Sequence, residues 1–350
     1  MIHFYPGPSK LHADLALDMS DALASGILSM HHRSKAFQHL YQTTESLTQD
    51  VFKLPTGYSI AFASSATECW QIIAQSLQHL SCNVAFNGSF GEKWSSVIQP
   101  YHTHPVQHPF DITSSACSIP LSTLESSGLL CLTQVETSNG SEISMESFRN
   151  IRTSFKGIIA VDATSAMGGI DTDFSLADIW FASVQKCFGL PSGLALIILS
   201  PAARAACKPI SKGAPYHHLT SIISNAEKYQ TTHTPNILGI YLLKQRLARW
   251  VHSTPWVPLR KQMEDWYTFF QSTPFQPLVL KTRQSATVLA LQNNSSFSLN
   301  DIIEKARIAG IILGKGYGVW SESTFRIANF PAHTEEDRAA LIRFIQTLKM

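Results

Sequence analysis

Charge is scarce in this sequence: 15% of its 350 residues are Asp, Glu, Lys or Arg, and 27 basic residues nearly balance 25 acidic ones. The formal net charge of +2 leaves no electrostatic footprint for nucleic acid or an anionic membrane. Cysteine is sparse as well. The six thiols, Cys69, Cys82, Cys117, Cys131, Cys187 and Cys207, form neither a CxxC pair nor finger spacing, which excludes a disulfide scaffold and fits free thiols in a reducing compartment. Long apolar runs are missing: stretches such as LALIIL fall far short of the roughly 20 residues that cross a bilayer. No basic segment followed by an apolar run occurs in MIHFYPGPSK, so a cytoplasmic location is expected.

Several motifs are absent too. The fourteen histidines cluster at 31–32, 101–108 and 217–218 without carboxylate or cysteine companions at ligand spacing, so hydrogen-bonded histidines are expected and no metal site. No GxGxxG follows a strand and no GxxxxGK[ST] exists, which argues against dinucleotide and P-loop nucleotide binding. Gly314, Gly316 and Gly318 lie late in the chain without a following βαβ unit and mark a bend or a close backbone approach. Repeats and low-complexity tracts are also lacking, which excludes a solenoid. Small molecules, or copies of the chain itself, are the expected partners.

What the chain does have is alternation. Hydrophobic residues make up 44% of it, enough for a substantial core. Short apolar runs (YSIAFAS, CNVAFNG, GLLCLTQVE, KGIIAVDA, DIWFASVQ, GLALIILS) alternate with helix-like segments such as ATECWQIIAQSLQHL and SMESFRNIRTSF. Continuous apolar strands separated by helices predict an α/β fold, with a parallel or mixed sheet covered on both faces. After residue 240 the texture changes to a smaller α+β unit. It opens on NILGIYLLKQRLARWVH and RKQMEDWYTFFQST, continues through strands at PLVLKT, ATVLALQ, IILGKGYGVW and STFRIANF, and ends on EEDRAALIRFIQTLK. The extended, proline-limited HFYPGPSK complements that unit rather than starting the central sheet. The expected division is an arm at 1–15, a large unit at 16–240 and a small one at 241–350.

In such a sheet, ligands bind where strands end and helix N-termini present unpaired N–H groups. Four loops qualify. In AFASSATECW a strand runs into Ser64, Ser65, Ala66 and Thr67 at a helix start, which is either an anion cup or an ordinary cap. In VDATSAMGG a strand ends on Asp162, and in TQVETSNG another ends before Glu136 and Thr137; taken singly these are a cap and a turn. In SVQKCFGLPSG, Lys186 sits in apolar company, where an ammonium must lose its proton or find a partner. One chemistry uses all four together: pyridoxal 5'-phosphate needs a lysine for its Schiff base, a carboxylate at its ring nitrogen and a cup for its phosphate.

With these residues in hand, the chain resembles the class V aminotransferases of the fold-type I pyridoxal phosphate group, most of all their phosphoserine aminotransferase branch. FYPGPSKL, HHRSKAF, SVQKCFGLPSGLALIILS and THTPNILGIYLL carry the resemblance, which spans nearly the whole chain. It implies a large domain built on a mostly parallel seven-stranded sheet sandwiched by helices, plus a small α+β C-terminal domain. Lys186 is implied as the cofactor lysine and proton shuttle, and Asp162 as the partner of the pyridine nitrogen. Ala66, Thr67 and Gln185 are implied for the cofactor phosphate and Thr137 for the ring hydroxyl. Phe90, with Trp94 as the nearby alternative, would stack on the ring. The family completes the phosphate site from a second subunit, implying a homodimer with shared sites in which His233 and Thr234 contribute; asparagine is usual where His233 stands. His32, Arg33 and Arg326 are implied for substrate, Arg326 as the bidentate grip on the α-carboxylate.

Two departures bear on substrate: Thr67 stands where the branch carries arginine, and Tyr317-Gly318 where it carries a His-Arg pair. The resulting expectation is transamination between an amino acid and a 2-oxo acid, with phosphoserine and 2-oxoglutarate leading. An alanine–glyoxylate or serine–pyruvate type enzyme is one alternative, and a non-catalytic binding protein on the same scaffold is another.

Overall fold

The computed structural model describes residues 1–113, 127–208 and 215–348; Cys117 lies outside them. Its centre is a seven-stranded sheet in the order Ser59–Ala63, Ala195–Leu199, Ile179–Ser183, Ile158–Asp162, Leu129–Thr133, Cys82–Phe86, Val106–Pro109. Only Ala195–Leu199 runs against its neighbours; every other pairing is parallel. The ends that carry Ala63, Phe86, Thr133, Asp162 and Ser183 therefore lie along one edge.

These strands are apolar without interruption because both faces are covered. Leu130, Leu132, Val161, Leu196 and Ile198 pack on one side with the helices Lys35–Phe52 and Ile237–Trp250. Their alternate neighbours Leu129, Cys131, Ala160, Ala195 and Ile197 pack on the other with Ala66–Ser76 and Ser89–Ile98, as the two-residue period of a strand requires. The six apolar runs read from the sequence are six of the seven strands. The seventh, Val106–Pro109, lies within the histidine-rich stretch at 101–108 and is mostly exposed, so an edge position hides its signal.

Residues from 256 onward form a second, smaller unit. Its antiparallel sheet has the order Phe275–Pro277, Val288–Asn293, Thr324–Ala328, Gly314–Lys315, packed on Trp256–Phe270, Leu299–Ile308 and Glu335–Thr347 around Phe270, Phe275, Leu291, Phe325 and Ile345. Two features differ from the sequence reading. PLVLKT contributes only Pro277 to a strand and then turns through a short 3-10 segment at Lys281–Arg283. The 240/241 boundary falls inside the helix Ile237–Trp250, whose Leu242, Leu243, Leu247 and Trp250 all join the core of the large unit. The changeover therefore follows Trp250.

The first residues belong to the small unit. Ile2 and His3 pair in parallel with Ile311 and Ile312, Phe4 is fully buried in the small core, and its carbonyl accepts from the Ala328 N–H at 2.8 Å. The chain then crosses to the large unit, where the Ser9 N–H donates to the Gln185 carbonyl at 3.1 Å.

Candidate active site

Between the two units lies a cavity of about 310 Å³ whose walls include Lys186, Asp162, Thr137, Ser165, Phe90 and Arg326. Lys186, Asp162, Thr137 and Ser165 come from strand ends or the loops that follow them, Phe90 from the start of the helix Ser89–Ile98 and Arg326 from the middle of the strand Thr324–Ala328. Ser183, the last residue of its strand, places Gln185 and Lys186 over the sheet edge, and Asp162 ends the adjacent strand. The helix Ala66–Ser76 starts on the same edge because Ser65 caps it, accepting from the Glu68 N–H at 3.1 Å.

Lys186 is buried, and its Nζ donates to Thr137 Oγ1 at 2.9 Å and to Ser165 Oγ at 2.8 Å. Burial pushes its pKa down from 10.5 to about 8, against the opposing pull of the Asp162 carboxylate. The amine thus sits near the point at which it can both give and take a proton. The arm closes over it: a Cβ added to Gly7 would lie 2.8 Å from Lys186 Cε, so only glycine permits this approach.

Asp162 is held in a fixed orientation. Trp70 Nε1 donates to Oδ2 at 2.8 Å and the Thr164 N–H to Oδ1 at 2.9 Å, both in a buried setting. Glu136, fully buried beyond Thr137, accepts from the N–H groups of Phe90 and Gly91 at the start of the helix Ser89–Ile98, and so ties that helix to the strand end. Phe90 consequently faces the cavity and lies 5.2 Å from Lys186 Nζ. Trp94 does not line the cavity: it lies behind Trp70, with ring centroids 6.3 Å apart, and packs on Phe181. Arg326 reaches in from the small unit and is 3% exposed. Its Nε donates to the Lys315 carbonyl at 2.8 Å and one terminal nitrogen to the Thr137 carbonyl at 2.9 Å.

The cavity brings together Ala66, Thr67, Phe90, Thr137, Asp162, Gln185, Lys186 and Arg326. The Ala66 N–H, however, already donates to Ser183 Oγ at 2.7 Å. His32, Arg33, His233 and Thr234 do not line this chain's own cavity. Arg33 is exposed and donates to Gln230 Oε1 at 3.1 Å, while the His32 pKa is lowered by desolvation and by its neighbours His31, Arg33 and His233. Residues missed in the sequence are Trp70, Ser165, Ser183 and the arm residues Tyr5 to Pro8. Trp70 could have been found, since it follows Ala66 by one helical turn and must face the same strand ends. Among the described residues no cluster suited to a metal ion is present; His102 instead bonds the carbonyls of Leu80 and Ala74, and His108 bonds Asn83.

The chain as a whole is similar to known proteins. Residues 104–265 match the profile of the family described as Aminotransferase class-V. A phosphoserine aminotransferase of Nocardioides sp. is 27% identical over 98% of this chain and 94% of its own. A solved phosphoserine aminotransferase of Cytophaga hutchinsonii superposes with a TM-score of 0.92 at 28% identity, covering 99% of this chain and 98% of its own. The chain resembles the class V aminotransferases along nearly its whole length. An alanine–glyoxylate aminotransferase of Nostoc sp. shares the fold, with a TM-score of 0.84 at 18% identity over 99% of this chain and 95% of its own.

The aminotransferase has the fold-type I architecture and is a pyridoxal phosphate-dependent transaminase. Its cavity suits that cofactor. Thr164 Oγ1 faces the cavity region buried and without a partner, as expected of a hydroxyl awaiting a ligand, and the walls combine an amine, an oriented carboxylate, hydroxyls and an aromatic face. No helix among the described residues is long and apolar enough to cross a membrane.

Proposed function

We propose that the enzyme interconverts phosphoserine and 2-oxoglutarate with 3-phosphohydroxypyruvate and glutamate. The observation that carries this reading is Lys186 held between the Thr137 and Ser165 hydroxyls in one cavity with Asp162 and Arg326, in a chain whose full-length relatives carry the phosphoserine aminotransferase name. Bound there, pyridoxal phosphate supplies a carbonyl that can be exchanged for an amino group and a ring that draws electrons from a substrate α-carbon.

In this reading the residues divide the work. Lys186 Nζ, with its pKa of about 8, anchors the cofactor, then takes the proton from the substrate α-carbon and returns it. Asp162 receives the ring N–H on a carboxylate that Trp70 and the Thr164 amide already orient. Thr137 would hold the ring hydroxyl and Phe90 would supply an aromatic face for the ring. Ala66 and Thr67, at the start of the helix Ala66–Ser76, and Gln185, in the loop after the strand Ile179–Ser183, would hold the phosphate, where the helix dipole favours an anion. Arg326 grips the substrate α-carboxylate through its planar fork.

His32, Arg33, His233 and Thr234 lie outside their own chain's cavity, and we assign them to the cavity of a second subunit in a homodimer. A cytoplasmic location suits the free thiols Cys69, Cys82, Cys131, Cys187 and Cys207. One observation favours a second reading. Lys186 and Arg326 are the cationic residues among those lining the cavity, with Thr67 at the helix start, which suits a substrate bearing a single carboxylate such as alanine with glyoxylate. Coupled assays of phosphoserine with 2-oxoglutarate and of alanine with glyoxylate separate the two. Turnover of the first pair with little of the second supports the proposal, and the converse overturns it.

A further inference from the structure

A second crevice adjoins the loop that carries Lys186. It encloses about 320 Å³, shares no lining residue with the catalytic cavity, and is walled by all three parts of the chain. The arm contributes His12, the large unit Arg249 and Trp250 at the end of the helix Ile237–Trp250, and the small unit Gln262 and Arg338. Two of these walls touch the Lys186 loop directly. Trp250 stacks on Phe188 with centroids 5.3 Å apart and planes 25° apart. The His12 N–H donates to the Gly189 carbonyl at 3.1 Å, and the His12 ring occupies the space that a Cβ on Gly189 would need.

The charges around this crevice reduce to one free cation. Arg249 is occupied by two carboxylates, at 2.9 Å from Asp14 and 2.6 Å from Asp18. His333 has both ring nitrogens on backbone carbonyls and a pKa lowered by burial to about 4, while burial and Arg246 lower that of His12 to about 3, so both rings are neutral. Arg338 differs. It is half-buried, its Nε donates to Asn329 Oδ1 at 3.2 Å, and among the described residues its two terminal nitrogens have no partner. No carboxylate among the described residues lines the crevice, and Asp337, next to Arg338 on the same helix, is already bonded by Lys10 and by the Thr334 N–H. Gln262 Oε1, on the opposite helix, is buried without a partner, an acceptor that the N–H or O–H of a ligand would satisfy. Pro255, Leu259 and Pro331 add apolar surface.

We propose that this crevice is a second ligand site, which takes a small monocarboxylate bearing an apolar side chain and one O–H or N–H donor, the make-up of an apolar hydroxy acid or amino acid. The carboxylate meets the two free nitrogens of Arg338, whose planar fork matches it, and the donor meets Gln262 Oε1. A single uncompensated cation favours a monoanion over a phosphate dianion, and the volume lies at the lower end of small-ligand sites, roughly 300 to 1,000 Å³. The occupant is not a substrate; it braces the Lys186 loop. Local opening of Phe188 and Gly189 displaces Trp250 and His12 and so dismantles the site. A ligand that binds only the closed form therefore opposes opening by a factor of about 1 + [L]/Kd.

The probe is mandelate, which has the carboxylate, a hydroxyl and an apolar ring but neither an amino nor an oxo group to react with the cofactor. Calorimetric titration of the holoenzyme should give a Kd in the millimolar range, with acetate and inorganic phosphate at least about tenfold weaker. Arg338→Met should weaken mandelate about tenfold or more, and Arg338→Lys should reproduce part of that loss. Ser253→Phe, which closes the exposed rim without touching a charge, should weaken it as much, whereas Arg326→Lys in the catalytic cavity should leave it within about twofold. Amide hydrogen exchange at Phe188 and Gly189 should slow about tenfold in wild type at ten times the Kd of mandelate and stay unchanged in Arg338→Met. Mandelate that binds Arg338→Met and Ser253→Phe as well as wild type sits elsewhere, and acetate or phosphate that matches it marks a general anion site. Either result overturns the proposal, as does no binding at all, or binding without slower exchange at the loop. Neither readout uses turnover, so the outcome is independent of which amino donor the enzyme prefers.

Discussion

Removing the cofactor lysine should make the cofactor-free enzyme more stable at neutral pH. A fall in the Lys186 pKa from 10.5 to about 8 corresponds to roughly 3 kcal/mol of disfavour for the charged form in the folded state. Below pH 8 both folded and unfolded chains hold the proton, so the folded state bears that cost in full. Between about 8 and 10.5 the folded amine is neutral while the unfolded one stays charged; unfolding then takes up a proton, and stability rises with pH. Above 10.5 both are neutral and the cost is gone.

Lys186→Met keeps the length of the stem and removes the ammonium. It also removes two hydrogen bonds, but their acceptors are not orphaned, because Thr137 Oγ1 and Ser165 Oγ already lie 2.6 Å apart. The net gain at pH 7 should be about 1 to 3 kcal/mol, or roughly 2 to 5 °C in melting temperature for a chain of this size. Thermal melts of cofactor-stripped wild type and variant at pH 7 and pH 10.5 measure it, with the gain expected to vanish at the higher pH. A variant less stable than wild type at pH 7, or an advantage that does not change with pH, would refute the reasoning.

Further substitutions probe other parts of the site. Asp162→Ala leaves the Trp70 indole N–H without its buried acceptor and removes the partner assigned to the ring nitrogen; about 3 to 5 kcal/mol, or 10²- to 10³-fold or more in kcat, should be lost in steady-state assays. Trp70→Phe retains the packing but deprives the Asp162 carboxylate of its 2.8 Å donor, and urea titration should read a loss of about 1.5 to 3 kcal/mol. Arg326→Lys cannot bond the Lys315 and Thr137 carbonyls and also offer a fork to substrate, so KM for every amino donor should rise about tenfold or more with a smaller change in kcat. Gly318→Ala, forced to a φ of +59° against Ser89, should cost more than about 1 kcal/mol in melting experiments.

The central sheet was legible because its strands are buried on both faces. ALIIL and IWFAS have every residue buried, so a continuous apolar run is the only pattern that position allows. Val106–Pro109 escaped notice for the opposite reason: an edge strand with three of four side chains exposed carries no such signature. Lys186 stood out as a charge just past an apolar strand, an expensive placement that calls for a partner, and Asp162, which alone reads as a cap, gained meaning beside it. Ser165 and Ser183 could not stand out, since hydroxyls are common in loops and only the fold brings Ser183 to Ala66, or Ser165 to Lys186. The pairing of Lys93 with Tyr317 spans 224 positions, and no local spacing rule reaches that far.

The arm has a consequence for how the protein is made. Ile2 pairs with Ile311, and Pro6, Gly7 and Pro8 form part of the cavity wall. These residues find their strand partner only once some three hundred more have been added, a wait of roughly 15 to 60 s at ribosomal speeds. Until then the arm lacks the strand that Ile2 and His3 pair with, and Tyr5 to Pro8 lack that anchor on the cavity wall. A chain stopped short of residue 311 would hold Lys186 without the strand partner that anchors the arm whose Gly7 lies against its stem.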